Sequence, residues 1–393
     1  MKTLPPPAID QEKLRGYRLA RLRQQLDAAD CAAALLFDSI NLTYALGHVR
    51  YPVFQFHLPS AYAFVPQQGR VTLFEGYGAH TDAGHFDCQP SINLNYFHTG
   101  DRAAPSLAGF VAQIGALLRS AGGKRLAIDH AQAGIVLALQ SAGIELVDAA
   151  PLVERARLIK SAEEIASIRH SIAVAELGMQ RMREALRPGV TERELLALLE
   201  HTNVVHGGRW QEYEIVVSGP RTNPWLGEAS MRAIEDGDLV AFDTGMSGPG
   251  GYCADISRTF HCGPSAPTAD QRQLYRLAHD ELQHNAALLR PGLAYRDFSE
   301  RSWVPPAAFR QQRYPAIAHG IGLCDEHPII VQPSHWSTEG IEGVFQPGMV
   351  ISIESYLGAP GGSEGVKLED EILITETGCE VLSRFPFEEA LLR

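Results

Sequence analysis

The sequence predicts an α+β protein of two domains. An α/β domain is predicted over residues 1–155, and a largely antiparallel sheet covered by helices is predicted over residues 156–393. Three observations predict this fold: helix and strand patterns alternate in the first part, two helix-capping signals follow the boundary, and short apolar strands between glycine-rich turns fill the remainder. Packing helices on such a sheet buries the apolar faces of both.

Helix and strand signals alternate along the N-terminal domain. Apolar residues at three- and four-residue steps indicate helices, whereas short apolar runs bounded by polar or turn residues indicate strands. The predicted elements are a helix through Leu19, Leu22 and Leu26, strands at 32–37, 71–74, 126–128 and 144–147, and helices at 105–120 and 131–142.

Two helices open the C-terminal domain, and each begins at a capping box. Ser161 with Glu164, and Thr191 with Glu194, have the spacing at which both side chains satisfy the first unpaired amides of a helix. Pro188-Gly189 ends the first of these helices.

Short apolar strands make up most of the remaining chain. Glycine-rich turns are predicted at 248–251 and 358–365, and a helix is predicted at 269–290. The predicted strands are 214–217, 239–242, 252–256, 350–353, 366–368 and 372–374.

Composition excludes several classes of function. The net charge of −12 disfavours nucleic acid and anionic membranes as partners. The sequence has no apolar stretch long enough to cross a membrane and no secretory signal pattern, so we expect a soluble cytoplasmic protein. Its six cysteines form no C-x-x-C pair, which argues against a disulfide framework or a zinc–thiolate site.

Acidic residues stand at the ends of several predicted strands, where an unpaired charge is costly to bury. Asp243, Glu354 and Glu369 follow apolar runs, Asp255 lies within a strand pattern, and His319 is flanked by glycine. Two divalent cations would neutralise such a cluster and generate a hydroxide nucleophile. Oxygen-rich ligands with one imidazole favour Mn²⁺, Fe²⁺ or Co²⁺, and Zn²⁺ is a further candidate.

These five residues lie in the motifs FDTG, GYCADISRT, HGIG, SIE and GVKLED. In order and context they resemble the pita-bread metalloenzymes, the superfamily of methionine aminopeptidase, prolidase, aminopeptidase P and creatinase. The resemblance implies that all five bind two metal ions in a pita-bread domain, that the N-terminal domain is creatinase-like, and that the protein is a homodimer. Lys367 stands where the peptidases usually have an arginine, which implies an electrostatic role beside the ligands.

The sequence departs from the peptidases where they place two histidines. About twenty residues before Asp243 the chain reads SGPRTNPW, so Asn223 and Trp225 are the substrate-binding candidates there. Seven residues after His319 the chain has Glu326, and the histidine is His327, one position later.

The segments GPRTNPW and HGIGLCDEHP, with Tyr314, instead resemble the metal-dependent dimethylsulfoniopropionate lyases. That resemblance implies that Asp325 is a base and that Tyr314 touches substrate. Two features differ from those lyases: Gly245 stands where they carry a further metal-binding aspartate, and the N-terminal domain lacks their tryptophans. The aromatic residues left for cation–π contact there are Tyr51, Phe54 and Phe56.

Three functions follow as hypotheses. The leading one is hydrolysis of a C–N bond in a small amide or dipeptide by a metal-bridging hydroxide, with Asp325 or Glu326 transferring the proton. The alternative is β-elimination from dimethylsulfoniopropionate with Asp325 as base, and a Gly245→Asp substitution is expected to separate the two. The third is a non-catalytic binding protein on the same fold. Loops around 48–60 and 77–100 are expected to shape the pocket.

Overall fold

The computed structural model describes residues 4–47, 49–76 and 84–393. Contacts divide the chain into two compact units. One unit comprises Asp10–Arg157, and the other comprises Leu158–Arg393 together with the segment before Asp10.

The N-terminal unit is a mixed six-stranded sheet with helices, in the strand order β4-β3-β2-β1-β5-β6. β1 pairs antiparallel with β2 and parallel with β5. Its elements are α1 (Gln11–Ala28), β1 (Ala33–Leu36), α2 (Ser39–Leu46), α3 (Pro52–His57), β2 (Tyr62–Pro66), β3 (Thr72–Glu75), β4 (Asp87–Pro90), α4 (Tyr96–Thr99), α5 (Ala103–Ser120), β5 (Arg125–Ile128), α6 (Ala133–Ser141), β6 (Glu145–Asp148) and α7 (Ala150–Arg157).

The core of this unit follows from its sequence periodicity. Phe110, Ile114 and Leu118 recur every four residues in α5 and pack with buried residues of the central strands. The predicted α/β alternation is confirmed. Within the expected pocket-shaping loops, residues 48 and 77–83 lie outside the described residues. The aromatic candidates Tyr51, Phe54 and Phe56, on or beside α3, are exposed.

The C-terminal unit carries antiparallel sheets and longer helices, as the sequence predicts. A three-stranded sheet has the order β11-β8-β7, and a five-stranded sheet has the order β13-β12-β14-β15-β16. Its elements are α8 (Ala162–Ala185), α9 (Glu192–Val205), β7 (Val216–Ser218), β8 (Leu239–Asp243), β9 (Met246–Ser247), β10 (Cys253–Ala254), β11 (Ser257–His261), α10 (Ala269–Leu288), α11 (Tyr295–Arg301), β12 (Ala316–Ile321), β13 (Asp325–Val331), α12 (Trp336–Glu339), β14 (Val350–Gly358), β15 (Gly365–Ile374), β16 (Cys379–Val381) and α13 (Glu389–Leu392).

The local signals that start the helices are borne out. Both predicted capping boxes are present, with Ser161 starting α8 and Thr191 starting α9. Tyr275, Ala278 and Leu282 of α10 are fully buried and belong to the core cluster that includes the inner residues of β14 and β15. This packing holds the two longest strands of the unit in place.

Two strand predictions need correction. The separate strands at 366–368 and 372–374 are one continuous strand, β15, whose intervening acidic residues are buried because each has a partner. The strand at 252–256 is interrupted after Ala254, which leaves Asp255 between β10 and β11. Within the described ranges, every helix is too short or too polar to span a lipid bilayer.

Candidate metal centre

The five side chains that the sequence marks as metal ligands meet in one buried cluster of the C-terminal unit. Asp243 ends β8, Asp255 follows β10, and His319 lies in β12. Glu354 of β14 and Glu369 of β15 are directly opposite each other in the antiparallel ladder, which brings their side chains together. None of the five is more than 9% exposed.

His319 contacts three of the carboxylates through one ring nitrogen. Its Nε2 lies 3.1 Å from Glu354 Oε1, 3.5 Å from Asp255 Oδ2 and 3.7 Å from Glu369 Oε1. The other nitrogen, Nδ1, lies 3.0 Å from the carbonyl oxygen of Gly320, which fixes the ring with Nε2 towards the carboxylates. One ligand atom each from Asp255, His319 and Glu369 lie within 4.8 Å of one another, which is compatible with a single shared ion.

Lys367 occupies the other side of the cluster. Its ammonium nitrogen lies 2.5 Å from Glu354 Oε2, 2.9 Å from Glu369 Oε2 and 3.3 Å from Asp243 Oδ2. It also donates to Ser257 Oγ at 2.8 Å. The side chain is fully buried, so this charge is neutralised by the carboxylates rather than by water.

The crowding of charge shifts the ionisation of every member of the cluster. Burial, reinforced by Glu369, raises the pKa of Asp255 well above its usual range and that of Glu354 to about 7. Burial also acts to raise the pKa of Glu369, but Lys367 and His319 outweigh it and hold that pKa low. Although burial opposes the charged forms of His319 and Lys367, the neighbouring carboxylates raise the pKa of both.

Two residues that the sequence did not mark, the half-buried Tyr213 and the buried Glu371, hold Asp255 in place. Tyr213 donates its hydroxyl to Asp255 Oδ1 at 2.5 Å, and Glu371 Oε1 accepts the backbone amide of Asp255 at 2.7 Å. Gly245 packs against the same tyrosine, because a Cβ added at Gly245 would lie 2.3 Å from the Tyr213 ring. An aspartate at position 245 therefore does not fit while Tyr213 keeps this position, so Gly245→Asp perturbs Asp255 as well as adding a charge.

Asp325 and Glu326 begin β13 and lie in different environments. Asp325 is solvent-accessible, and its carboxylate interacts electrostatically with His319 and Glu369. Desolvation by the surrounding protein raises the pKa of Asp325, while His319 opposes the shift. Glu326 is buried and accepts a hydrogen bond from Lys160 Nζ at 2.9 Å. His327 follows on the same strand and is half-buried.

Aromatic side chains cover the lysine side of the cluster. The Lys367 ammonium lies 5.1 Å from the ring centroid of Tyr314 and 5.6 Å from that of Trp225. Trp225 stacks on Tyr356, whose hydroxyl donates to Asn223 Oδ1 at 2.9 Å. Burial raises the pKa of Tyr314 far above its ordinary value, so its hydroxyl stays protonated and available as a donor.

The backbone on either side of the cluster is held by Glu281, a buried carboxylate of α10 that the sequence did not mark. Glu281 accepts hydrogen bonds from Ser355 Oγ at 2.9 Å and from the Arg313 guanidinium. Arg313 precedes Tyr314, and Ser355 follows Glu354. One helix residue thereby restrains both the aromatic cover and a predicted ligand.

The donor set fits a divalent cation. Carboxylate oxygens with one imidazole are suitable ligands, and two buried oxygens, Asp243 Oδ1 and Glu369 Oε1, have no hydrogen-bond partner among the described residues. Such unpaired buried oxygens are costly unless a cation or water meets them. The arrangement can therefore hold a divalent cation beside the solvent-accessible carboxylate of Asp325.

Comparisons with known proteins identify the family of the chain. The sequence profile of metallopeptidase family M24 matches residues 166–376, and that of the creatinase/prolidase N-terminal domain matches residues 18–159. The chain is 33% identical over 395 aligned positions to the dimethylsulfoniopropionate lyase DddP of Roseovarius nubinhibens, covering 98% of this chain and 88% of that protein. It is 30% identical to the Xaa-Pro aminopeptidase of Escherichia coli over 270 positions, covering 61% and 59%.

Solved structures show the same fold. The Xaa-Pro dipeptidase from Bacillus anthracis superposes with a TM-score of 0.76 at 23% identity, covering 95% of this chain and 99% of that one. The prolidase from Pyrococcus horikoshii superposes with a TM-score of 0.73, also at 23% identity, covering 94% and 99%. The predicted pita-bread and creatinase-like domains are thus confirmed. The chain is an enzyme, a hydrolase or a lyase, and it belongs to metallopeptidase family M24.

Proposed function

We propose that this protein is a metal-dependent lyase that acts by β-elimination on a small zwitterion with a carboxylate and a sulfonium group. Dimethylsulfoniopropionate is the candidate substrate, and Asp325 is the base. The proposal rests on the different environments of two neighbouring carboxylates on β13. Asp325 is accessible to solvent beside the buried cluster, whereas Glu326 is buried and forms an ion pair with Lys160. The similarity to DddP over almost the whole chain supports the same reaction.

Asp255, His319 and Glu369 are the residues that would hold the metal, with Glu354 beside them. A bound divalent cation supplies Lewis acidity, which makes a C–H next to a bound carboxylate more acidic and equally activates water. The carboxylate of Asp325 takes the proton from the carbon next to the substrate carboxylate. The C–H electron pair forms the C=C bond, and the C–S bond breaks with its electron pair on sulfur, giving acrylate and dimethyl sulfide.

Two aromatic residues, Tyr314 and Trp225, supply polar contacts on the side of the cluster that Lys367 occupies. The Tyr314 hydroxyl stays protonated and can donate to the substrate carboxylate. The buried indole nitrogen of Trp225 has no acceptor among the described residues, so it offers a second donor. Asn223 acts through the backbone, because its amide donates to the carbonyl oxygens of Ala359 and Gly362 and so fixes the turn after β14.

The test is dimethyl sulfide release by the Mn²⁺- or Fe²⁺-loaded protein, measured in the headspace. We expect Asp325→Asn to reduce release by about 10²- to 10⁴-fold, the usual contribution of a general base, while bound metal stays unchanged. The matched control is Asp297→Asn, which removes an exposed aspartate of α11 and should leave the rate unaltered. Equal rates for Asp325→Asn and wild type would refute the assignment of the base.

Hydrolysis of a C–N bond in a small amide or dipeptide is the second candidate. Gly245 favours it, since the peptidases that the sequence resembles have no additional aspartate there, and the family M24 profile agrees. In that reaction Asp325 or Glu326 would transfer the proton. An Xaa-Pro dipeptide in the same assays separates the candidates: released amine without dimethyl sulfide would select hydrolysis.

A further inference from the structure

We infer that the buried ion pair between Lys160 and Glu326 positions the base Asp325, so that both residues set the rate of elimination without touching the substrate. Because Asp325 is the base of the proposed function, the inference rests on that function. The contacts that support it surround the turn between β12 and β13, residues 322–324.

Asp325 and Glu326 are the first two residues of β13, so their side chains point to opposite faces of the strand. Asp325 is exposed, whereas the side chain of Glu326 is 1% exposed and that of Lys160 is 2% exposed. An ion pair as deeply buried as this one stabilises a protein little more than apolar side chains of the same volume would. A role in the geometry of the neighbouring base accounts for the pair better than stability does.

The Glu326 carboxylate lies beneath the turn. Its Oε1 accepts the backbone amide of Leu323 at 3.0 Å, and its Oε2 accepts a hydrogen bond from Lys160 Nζ at 2.9 Å. A Cβ added at Gly322 would lie 2.5 Å from both carboxylate oxygens, so the glycine allows the turn and the carboxylate to approach this closely. A movement of the turn, and of Asp325 directly after it, therefore breaks the bond to Glu326.

The lysine that binds Glu326 is fixed at its own backbone. The Lys160 amide donates to the Gly348 carbonyl oxygen at 2.9 Å, and the next residue, Ser161, is the N-cap of α8. The ammonium group thereby holds the Glu326 carboxylate with Oε1 towards the turn.

The turn is also bonded to the segment that carries a predicted metal ligand. The Cys253 amide donates to the Gly322 carbonyl oxygen at 2.7 Å, and Cys253 is two residues before Asp255. This bond and the ion pair together fix the turn, and Asp325 follows the turn directly. A displacement of about 1 Å at a reacting group can cost about 10²-fold in rate, so the support of the turn has a measurable effect.

The experiment compares two double variants in which both charges of the pair are removed together. Lys160→Met with Glu326→Leu removes the ion pair and the acceptor for the Leu323 amide, while the volume of the side chains stays similar. Lys160→Met with Glu326→Gln removes the ion pair but keeps an acceptor oxygen for that amide. Each Mn²⁺-loaded protein is assayed for dimethyl sulfide release over a range of substrate concentrations, and its Mn²⁺ affinity is measured by isothermal titration.

We expect Lys160→Met with Glu326→Leu to lower kcat about 10- to 100-fold with KM and Mn²⁺ affinity unchanged, because only the base is displaced. The variant with Glu326→Gln should recover most of that loss. In an Asp325→Asn background the first variant should cause no further loss, since it acts through Asp325.

The matched control is Arg183→Met with Glu388→Leu. It removes another ion pair of the same unit whose glutamate is buried, and it should leave kcat unaltered.

Each outcome supports or contradicts the inference. An unchanged kcat in Lys160→Met with Glu326→Leu would overturn it, and so would an equal loss with and without Asp325, which a purely structural role produces. If that variant fails to fold, Gly322→Ala gives the same comparison, because its Cβ displaces the Glu326 carboxylate. A wild type that releases no dimethyl sulfide would contradict the proposed function together with this inference, whereas the two results named first would contradict this inference alone.

Discussion

Tyr213→Phe isolates one hydrogen bond at the metal centre. The hydroxyl of Tyr213, which is half-buried, donates to the buried Asp255 Oδ1 at 2.5 Å. Phenylalanine keeps the ring that packs against Gly245 and removes only the donor. The substitution therefore leaves Asp255 with one fewer partner while the packing is preserved.

The magnitude follows from the charge on the acceptor. A hydrogen bond to a charged group contributes about 1.5–3 kcal/mol, and about 1.4 kcal/mol corresponds to a tenfold change in affinity. Residues that orient a metal ligand have comparable effects, with losses of about 10- to 100-fold in metal affinity when they are removed. We therefore expect Mn²⁺ to bind about 10- to 100-fold more weakly to Tyr213→Phe.

Isothermal titration of the metal-free protein with Mn²⁺ measures this change. The matched control is Tyr356→Phe, which removes a buried hydroxyl that donates to Asn223 rather than to a predicted ligand. That control should retain wild-type affinity. Unchanged affinity in Tyr213→Phe, or an equal loss in Tyr356→Phe, would refute the role of Tyr213 in positioning Asp255.

Two other predictions concern packing and pH. Gly245→Ala places a Cβ 2.3 Å from the Tyr213 ring and should weaken Mn²⁺ binding in the wild type but add little in a Tyr213→Ala background, whereas additive losses would contradict direct contact. Burial raises the pKa of Asp129 to about 6, so the folded protein binds this proton more tightly than the unfolded chain does. The stability that this contributes to the fold is fully present below about pH 4 and is lost as the pH rises through 6. Between pH 4 and pH 7 the free energy of unfolding, measured with urea, should fall by about 2 kcal/mol in the wild type relative to Asp129→Asn. A difference between the two proteins that does not change with pH would contradict this.

Local signals in the sequence predict the fold class and part of the elements, but not β2, β12 or β13. The capping boxes at Ser161 and Thr191 mark the starts of α8 and α9, because a cap depends on neighbouring residues alone. β15 was harder to predict, since acidic residues interrupt its apolar pattern. Asp370 is buried against Arg258 at 2.8 Å and Glu371 against the Asp255 amide, and neither partner is close in sequence.

The candidate centre shows the same limit. The motifs that resemble the pita-bread metalloenzymes mark the five predicted ligands, and the structure brings those residues together. Tyr213 is 42 residues before Asp255 and has no neighbouring motif, so only the folded chain shows their contact. The sequence also did not predict that Gly245 packs against Tyr213. A glycine two residues after the predicted ligand Asp243 does, however, indicate a close approach by another group.

The most direct test of the proposed function places both candidate substrates in one tube. Metal-loaded protein is incubated with dimethylsulfoniopropionate and an Xaa-Pro dipeptide, and proton NMR follows the vinyl resonances of acrylate together with the resonances of the dipeptide. The proposal predicts that acrylate appears while the dipeptide stays intact, and that Asp325→Asn abolishes the change. Cleavage of the dipeptide with dimethylsulfoniopropionate left unchanged would contradict it.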